Sequence, residues 1–166
     1  PESLAWGNVV RACFLFRRAV HERLGGYDET LTTAEDYDFW LRASVESRFE
    51  HLPEALYLYR EHEASITARQ PAAIARATER ALEARLPEMN WLPNRARARG
   101  YLRLATLAAA RGDARAARRH ALRAARWAPS VLIRNASPLT LVEVLISPGL
   151  ARFVRRRRRR LRGGTE

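Results

Sequence analysis

Lysine is absent from this 166-residue chain: all 30 basic residues are arginine. A surface selected for phosphate contact normally mixes the two cations. Wholesale exclusion of one, in an alanine-rich sequence, points instead to the composition of a GC-rich genome. The sequence pI of about 11.3 is therefore weak evidence about partners. Cysteine is nearly absent too. The lone Cys13 excludes an internal disulfide and fits a reducing compartment. Set among Val, Ala, Phe and Leu, it reads as a buried core thiol rather than a nucleophile. Long apolar runs are also missing. The stretch 139–150 is short and is interrupted by Glu143 and Pro148-Gly149, whereas a spanning helix takes about 20 apolar residues. A signal peptide is lacking, and the chain opens on Pro1 rather than Met, which suggests a fragment or a processed chain.

What is present is unevenly spread. Residues 1–68 hold 7 Arg against 12 acidic side chains, and residues 69–166 hold 23 Arg against 6. Such asymmetry implies two functional parts. With 47% hydrophobic residues the chain has enough apolar side chains for a core.

Local signals divide the chain further. Residues 8–17, "NVVRACFLFR", and 55–60, "ALYLYR", are rich in aliphatic and aromatic types and read as strands, the second starting after Pro53. "RAVHERL" reads as a short helix closed by Gly25. Thr32 and Glu35 have capping-box spacing, so a helix should begin near Thr33 and run to about Val45. On that helix Asp36, Trp40 and Ala43 share one face, and Asp38 and Arg42 have the spacing of a surface ion pair. Spacing alone allows a simpler role for Glu35, Asp36 and Asp38, as acids that complement the helix dipole. Residues 71–86 form an Ala/Arg/Glu helix ending before Pro87. Residues 95–110 and 114–127 form a helical hairpin about Arg111-Gly112-Asp113.

That hairpin, with Ala117, Ala124 and Pro129, resembles one tetratricopeptide-type repeat. A single copy cannot stack into a solenoid. Residues 131–154 read as an amphipathic segment and 155–166 as a polybasic tail with Arg155–Arg160. The tail is a solvated charge block or a contact with an anionic membrane.

The front of the chain carries a further resemblance. "RRAVHERLGGYDETLTTAEDYDFWLRA" and "LPEALYLYREHEAS" resemble the C-terminal, acceptor-side half of GT-A glycosyltransferases of the large inverting class that uses nucleotide-diphosphate sugars. The resemblance spans residues 5–66 and implies an α/β front half over 1–68, followed by an all-α helical tail over 69–130. It implies that Asp36 is the general base that deprotonates an acceptor hydroxyl, with Glu35 supporting it. Gly25 and Gly26 would let backbone approach the sugar. Trp6 and Asn8 would lead into the acceptor side, with Trp40 and Arg42 in the same motif. His62 would reach a divalent metal, Mg2+ or Mn2+, or the diphosphate. Asp36-Tyr37-Asp38 is not taken as a metal-binding Asp-x-Asp, because its flanks match the later acid motif. The implied partners are a nucleotide-diphosphate sugar and a glycan or lipid-linked acceptor, in the cytoplasm or at the inner face of the plasma membrane. The donor-binding half is missing from the resemblance, so this chain alone should be inactive.

A rival expectation is a non-catalytic module that binds a protein through the hairpin. Nucleic-acid binding is disfavoured, because the Arg run has no interleaved aromatics.

Overall fold

A computed structural model describes residues 2–10, 12–60 and 62–131. The chain divides into two compact units, one up to Ala96 and one from Arg97.

The first unit is built on helices. A 3-10 turn, Glu2–Ala5, precedes α1 (Arg18–Leu24), α2 (Glu35–Glu46), α3 (Ile66–Arg69) and α4 (Pro71–Arg85). Helix α2 is its centre and packs against α1, α4 and the 3-10 turn. Tyr37, Phe39, Trp40, Leu41 and Ala43 of α2 are all buried, as are Leu82, Leu86 and Met89 beyond it. Each large apolar side chain so buried contributes about 1.5–3 kcal/mol. The Tyr37 hydroxyl donates to the Leu4 carbonyl at 2.6 Å, which ties the 3-10 turn to α2.

Helix ends follow local chemistry, with one exception. Gly25 closes α1 in the left-handed region at φ 73°, where a Cβ would be strained. The Ser65 hydroxyl caps α3 by accepting from the Ala68 amide, and Pro71 opens α4 at the position where its missing N–H costs nothing. At α2 the expected capping box does not form. The helix starts at Glu35, and its N-cap is Ala34 at φ 63°, with no side-chain cap. Ala34 is the one non-glycine with positive φ among the described residues.

The expected α/β front half is overturned. Among the described residues there is no strand. Residues 8–17 and 55–60 are without secondary structure where described. Alternation of apolar side chains favours an extended backbone, but a strand also needs a neighbour to exchange hydrogen bonds with, and neither segment forms a ladder. Residues 12–17 are pinned by side chains instead. Phe14 meets Trp40 edge-on at 4.7 Å between centroids, and Phe16 lies 5.2 Å from Phe39. The intervening side chains turn outward: Leu15 is 98% exposed, and Cys13 is exposed rather than buried.

The second unit contains the hairpin expected from sequence. Helix α5 (Asn94–Ala110) enters it, and α6 (Ala114–Trp127) returns. Gly112 at φ 90° makes the turn. Its amide donates to Ala109 O at 3.0 Å and the Asp113 amide to Ala108 O at 2.9 Å, a Schellman closure. Asp113 then caps α6, its carboxylate accepting from the Ala116 amide at 2.9 Å. Ala108, Ala109, Ala116 and Ala117 form the buried contact, where small side chains let the two backbones approach.

No described helix is long and apolar enough to cross a membrane. The expected amphipathic segment 131–154 is described only at Val131, and the polybasic tail 155–166 lies outside the described residues.

Candidate functional site

Two neighbouring carboxylates on α2 meet different surroundings. Asp38 is 2% exposed. One of its oxygens accepts from Arg42 Nε at 2.8 Å and the other from Arg85 Nε at 3.0 Å. The Asp38–Arg42 pair anticipated at the surface therefore forms, but inside, and α4 supplies a second cation. Arg42 also donates to the Leu24 carbonyl at 2.5 Å and to the Gly26 carbonyl at 2.6 Å. The network joins the double-glycine corner, α2 and α4.

Asp36 is half-buried, and among the described residues its hydrogen-bond partners are neutral. Asn8 Nδ2 donates to its Oδ2 at 2.6 Å, and the Tyr37 amide donates to its Oδ1 at 2.7 Å. It opens into a cleft of about 240 Å³, smaller than the roughly 300–1,000 Å³ of drug-sized sites. Asn8, Thr32–Tyr37, Ile66, Thr67, Ile74 and Thr78 line it. The strained Ala34 lies in this wall, one residue before Glu35. Left-handed backbone at a non-glycine costs of the order of 1–3 kcal/mol and concentrates at functional sites.

The cleft brings together three residues singled out from sequence: Asn8, Glu35 and Asp36. The others lie elsewhere. Gly25 and Gly26 close α1, and a Cβ on Gly26 would come within 3.2 Å of His21 Nε2. Trp40 is buried in an aromatic cluster with Phe14, Phe16, Phe39 and Phe49. Arg42 braces the glycine corner. Trp6 is 44% exposed beside the 3-10 turn. His62 is exposed and does not line the cleft. Among the described residues no three His, Cys, Asp or Glu side chains converge as a metal cage.

Sequence reasoning passed over several cleft residues. Thr32, Thr33 and Thr78 offer hydroxyls, and α4, read as part of the tail, supplies Ile74 and Thr78. Tyr27 was also passed over. Burial, and then the carboxylates of Asp36 and Glu35, hold its phenol above its ordinary value of 10.0. It therefore stays a hydrogen-bond donor near the two acids. Its ring stands edge-on to Phe39 at 5.2 Å.

No family model matches the chain, and no curated protein or solved structure matches it. Together with the missing sheet, this overturns the resemblance to the acceptor-side half of GT-A glycosyltransferases. The hairpin is present as a structure, but its likeness to a tetratricopeptide repeat has no family match behind it.

Proposed function

We propose that the cleft beside Asp36 receives an acceptor hydroxyl, and that Asp36 is the general base for its attack on a nucleotide-diphosphate sugar. The observation that carries this reading is the state of Asp36. It lies at a cleft, is oriented by Asn8 and a backbone amide, and is paired with no cation among the described residues. Each of its oxygens has a further lone pair for a substrate proton.

In the step proposed, the acceptor O–H donates to Asp36, its oxygen bonds to the anomeric carbon, and the bond to the nucleoside diphosphate breaks. The proton stays on Asp36 until solvent takes it. Attack opposite the leaving group inverts the anomeric centre. Asn8 fixes the carboxylate, while the threonine hydroxyls lining the cleft suit a hydroxyl-rich ligand. The donor's nucleotide and diphosphate would be held by groups other than those lining this cleft. A Mg2+ or Mn2+ ion would neutralise the diphosphate, and no step assigned here to the chain's own residues passes through it. A nucleotide-diphosphate sugar donor would be met in the cytoplasm, which includes the inner face of the plasma membrane.

The test is acceptor-dependent release of nucleoside diphosphate from a panel of nucleotide sugars, using the longest natural form of the protein. Asp36→Asn should lower turnover by about 10²–10⁴-fold, the range for loss of a general base, with donor affinity nearly unchanged. Near-normal turnover in that variant would remove Asp36 from the role.

A further inference from the structure

We infer that the outward face of α6 is a docking surface for an anionic lipid bilayer. Helix α6 is strongly two-sided. Ala116, Ala117, His120, Ala121 and Ala124 face the hairpin interior and are buried. Arg115, Arg118, Arg119, Leu122 and Arg126 share the opposite face at helical spacing, and all are exposed. The helix holds five arginines and no acid. The acid nearest in sequence, Asp113, is engaged by Arg111 at 3.0 Å and by the helix cap. From Arg115 to Arg126 the stripe rises about 17 Å at 1.5 Å per residue. Genome composition explains why these cations are arginine rather than lysine. It does not explain a face with no acid in a chain that has 18.

Two features favour a bilayer over a nucleic acid. Leu122, at the centre of the stripe, is 55% exposed. A headgroup interface rewards an apolar side chain among cations, whereas phosphate contact gives it nothing. The large rings among the unit's described residues also already carry a guanidinium. Arg97 lies 4.6 Å over Trp127, and Arg123 lies 5.8 Å over the buried Tyr101, so each ring has a face already occupied where a stacked base would sit.

The test is flotation of the full chain with vesicles of phosphatidylcholine alone, or of phosphatidylcholine mixed with phosphatidylserine. The chain should float with the anionic vesicles only, and less at high salt. Each arginine near such a surface is worth about a factor of five in partitioning. Arg118→Gln with Arg126→Gln should therefore weaken it about 25-fold, with helix content unchanged by circular dichroism. Leu122→Gln, which leaves the charge intact, should weaken it a few-fold. Unchanged flotation of the double variant overturns the proposal, because binding then resides elsewhere, for instance in Arg155–Arg160. Equal binding to neutral vesicles, no binding to anionic ones, or displacement from them by an RNA oligonucleotide overturns it as well.

Discussion

Replacing Asp38 by Asn should be among the most damaging polar substitutions in the first unit. The side chain is 3% exposed and sits between Arg42 and Arg85, whose side chains are 15% and 29% exposed. Asparagine keeps the shape but removes the charge, and turns an N–H toward a guanidinium. Breaking a buried ion pair by removing one partner costs about 3–5 kcal/mol. Here the loss is smaller, because Arg42 keeps the Leu24 and Gly26 carbonyls and Arg85 reaches water. We expect about 2–3 kcal/mol for Asp38→Asn. Arg85→Ala, which leaves Asp38 with Arg42, should cost about 1–2 kcal/mol, near the worth of one charged hydrogen bond. The double variant should cost less than the sum, by about 1 kcal/mol of coupling. Because the chain has two compact units, urea unfolding should be read by hydrogen exchange at α2 and α4 amides rather than by a global probe. A buried pair is weakly screened, so the penalty should persist at high salt. A cost for Asp38→Asn below about 1 kcal/mol, or one erased by salt, would refute a buried network and with it the docking of α4 on α2.

Ala34→Gly should stabilise the first unit. It relieves a left-handed alanine, worth about 1–2 kcal/mol, against about 0.4–1 kcal/mol of added chain entropy. A net gain of about 0.5–1 kcal/mol in urea unfolding is expected, and a loss would show that the Ala34 methyl packs usefully. Tyr27 should ionise above an ordinary phenol in an ultraviolet titration, and Asp36→Asn should move it back toward 10.0, since Asp36 is one of the carboxylates that raise it. Because the folded value lies above the unfolded one, this phenol's contribution to stability is whole below about pH 10 and is lost as pH rises through the folded value. Gly112→Ala should destabilise the hairpin by about 1 kcal/mol or more, as φ 90° is strained for any Cβ, and thermal unfolding of α5 and α6 reads it. Asp113→Ala should lower the same transition. The Ala116 amide holds the Asp113 carboxyl below its ordinary value, so the stability it supplies is present above the unfolded pKa and fades as pH falls through the folded one.

The helices were legible because their signals are local. Gly25, Pro71, and the pair Gly112 and Asp113 mark ends that the structure keeps. The two supposed strands were misread for a physical reason. Alternating aromatic and aliphatic side chains specify an extended backbone, and pairing depends on a second segment that local sequence does not reveal. Phe14 and Phe16 alternate inward as a strand's residues would, but onto Trp40 and Phe39 of a helix. The cap of α2 was misread because Thr32 and Glu35 have the right spacing, yet Ala34 takes the left-handed turn between them.

The site was half legible, and the two acids of α2 show why. Asp36 and Asp38 are two residues apart and chemically identical, and spacing allowed both the simpler role of helix-start acids, adding for Asp38 only a surface pair with Arg42. What separates them is long-range. Asp38 is sealed by Arg85, 47 residues away, and Asp36 is aimed by Asn8, 28 residues away. Both oxygens of the buried Asp38 are taken by cations, so its work is structural. Asp36 meets a cleft with only neutral partners among the described residues and lone pairs to spare, so it is the acid proposed to take a substrate proton. The division predicts opposite outcomes for one conservative change. Asp38→Asn should destabilise α2 and α4, whereas Asp36→Asn should leave stability within about 1 kcal/mol, as expected where no buried charge is stranded. Were Asp36→Asn the more destabilising of the two, Asp36 would be a structural residue and the proposed base would be lost.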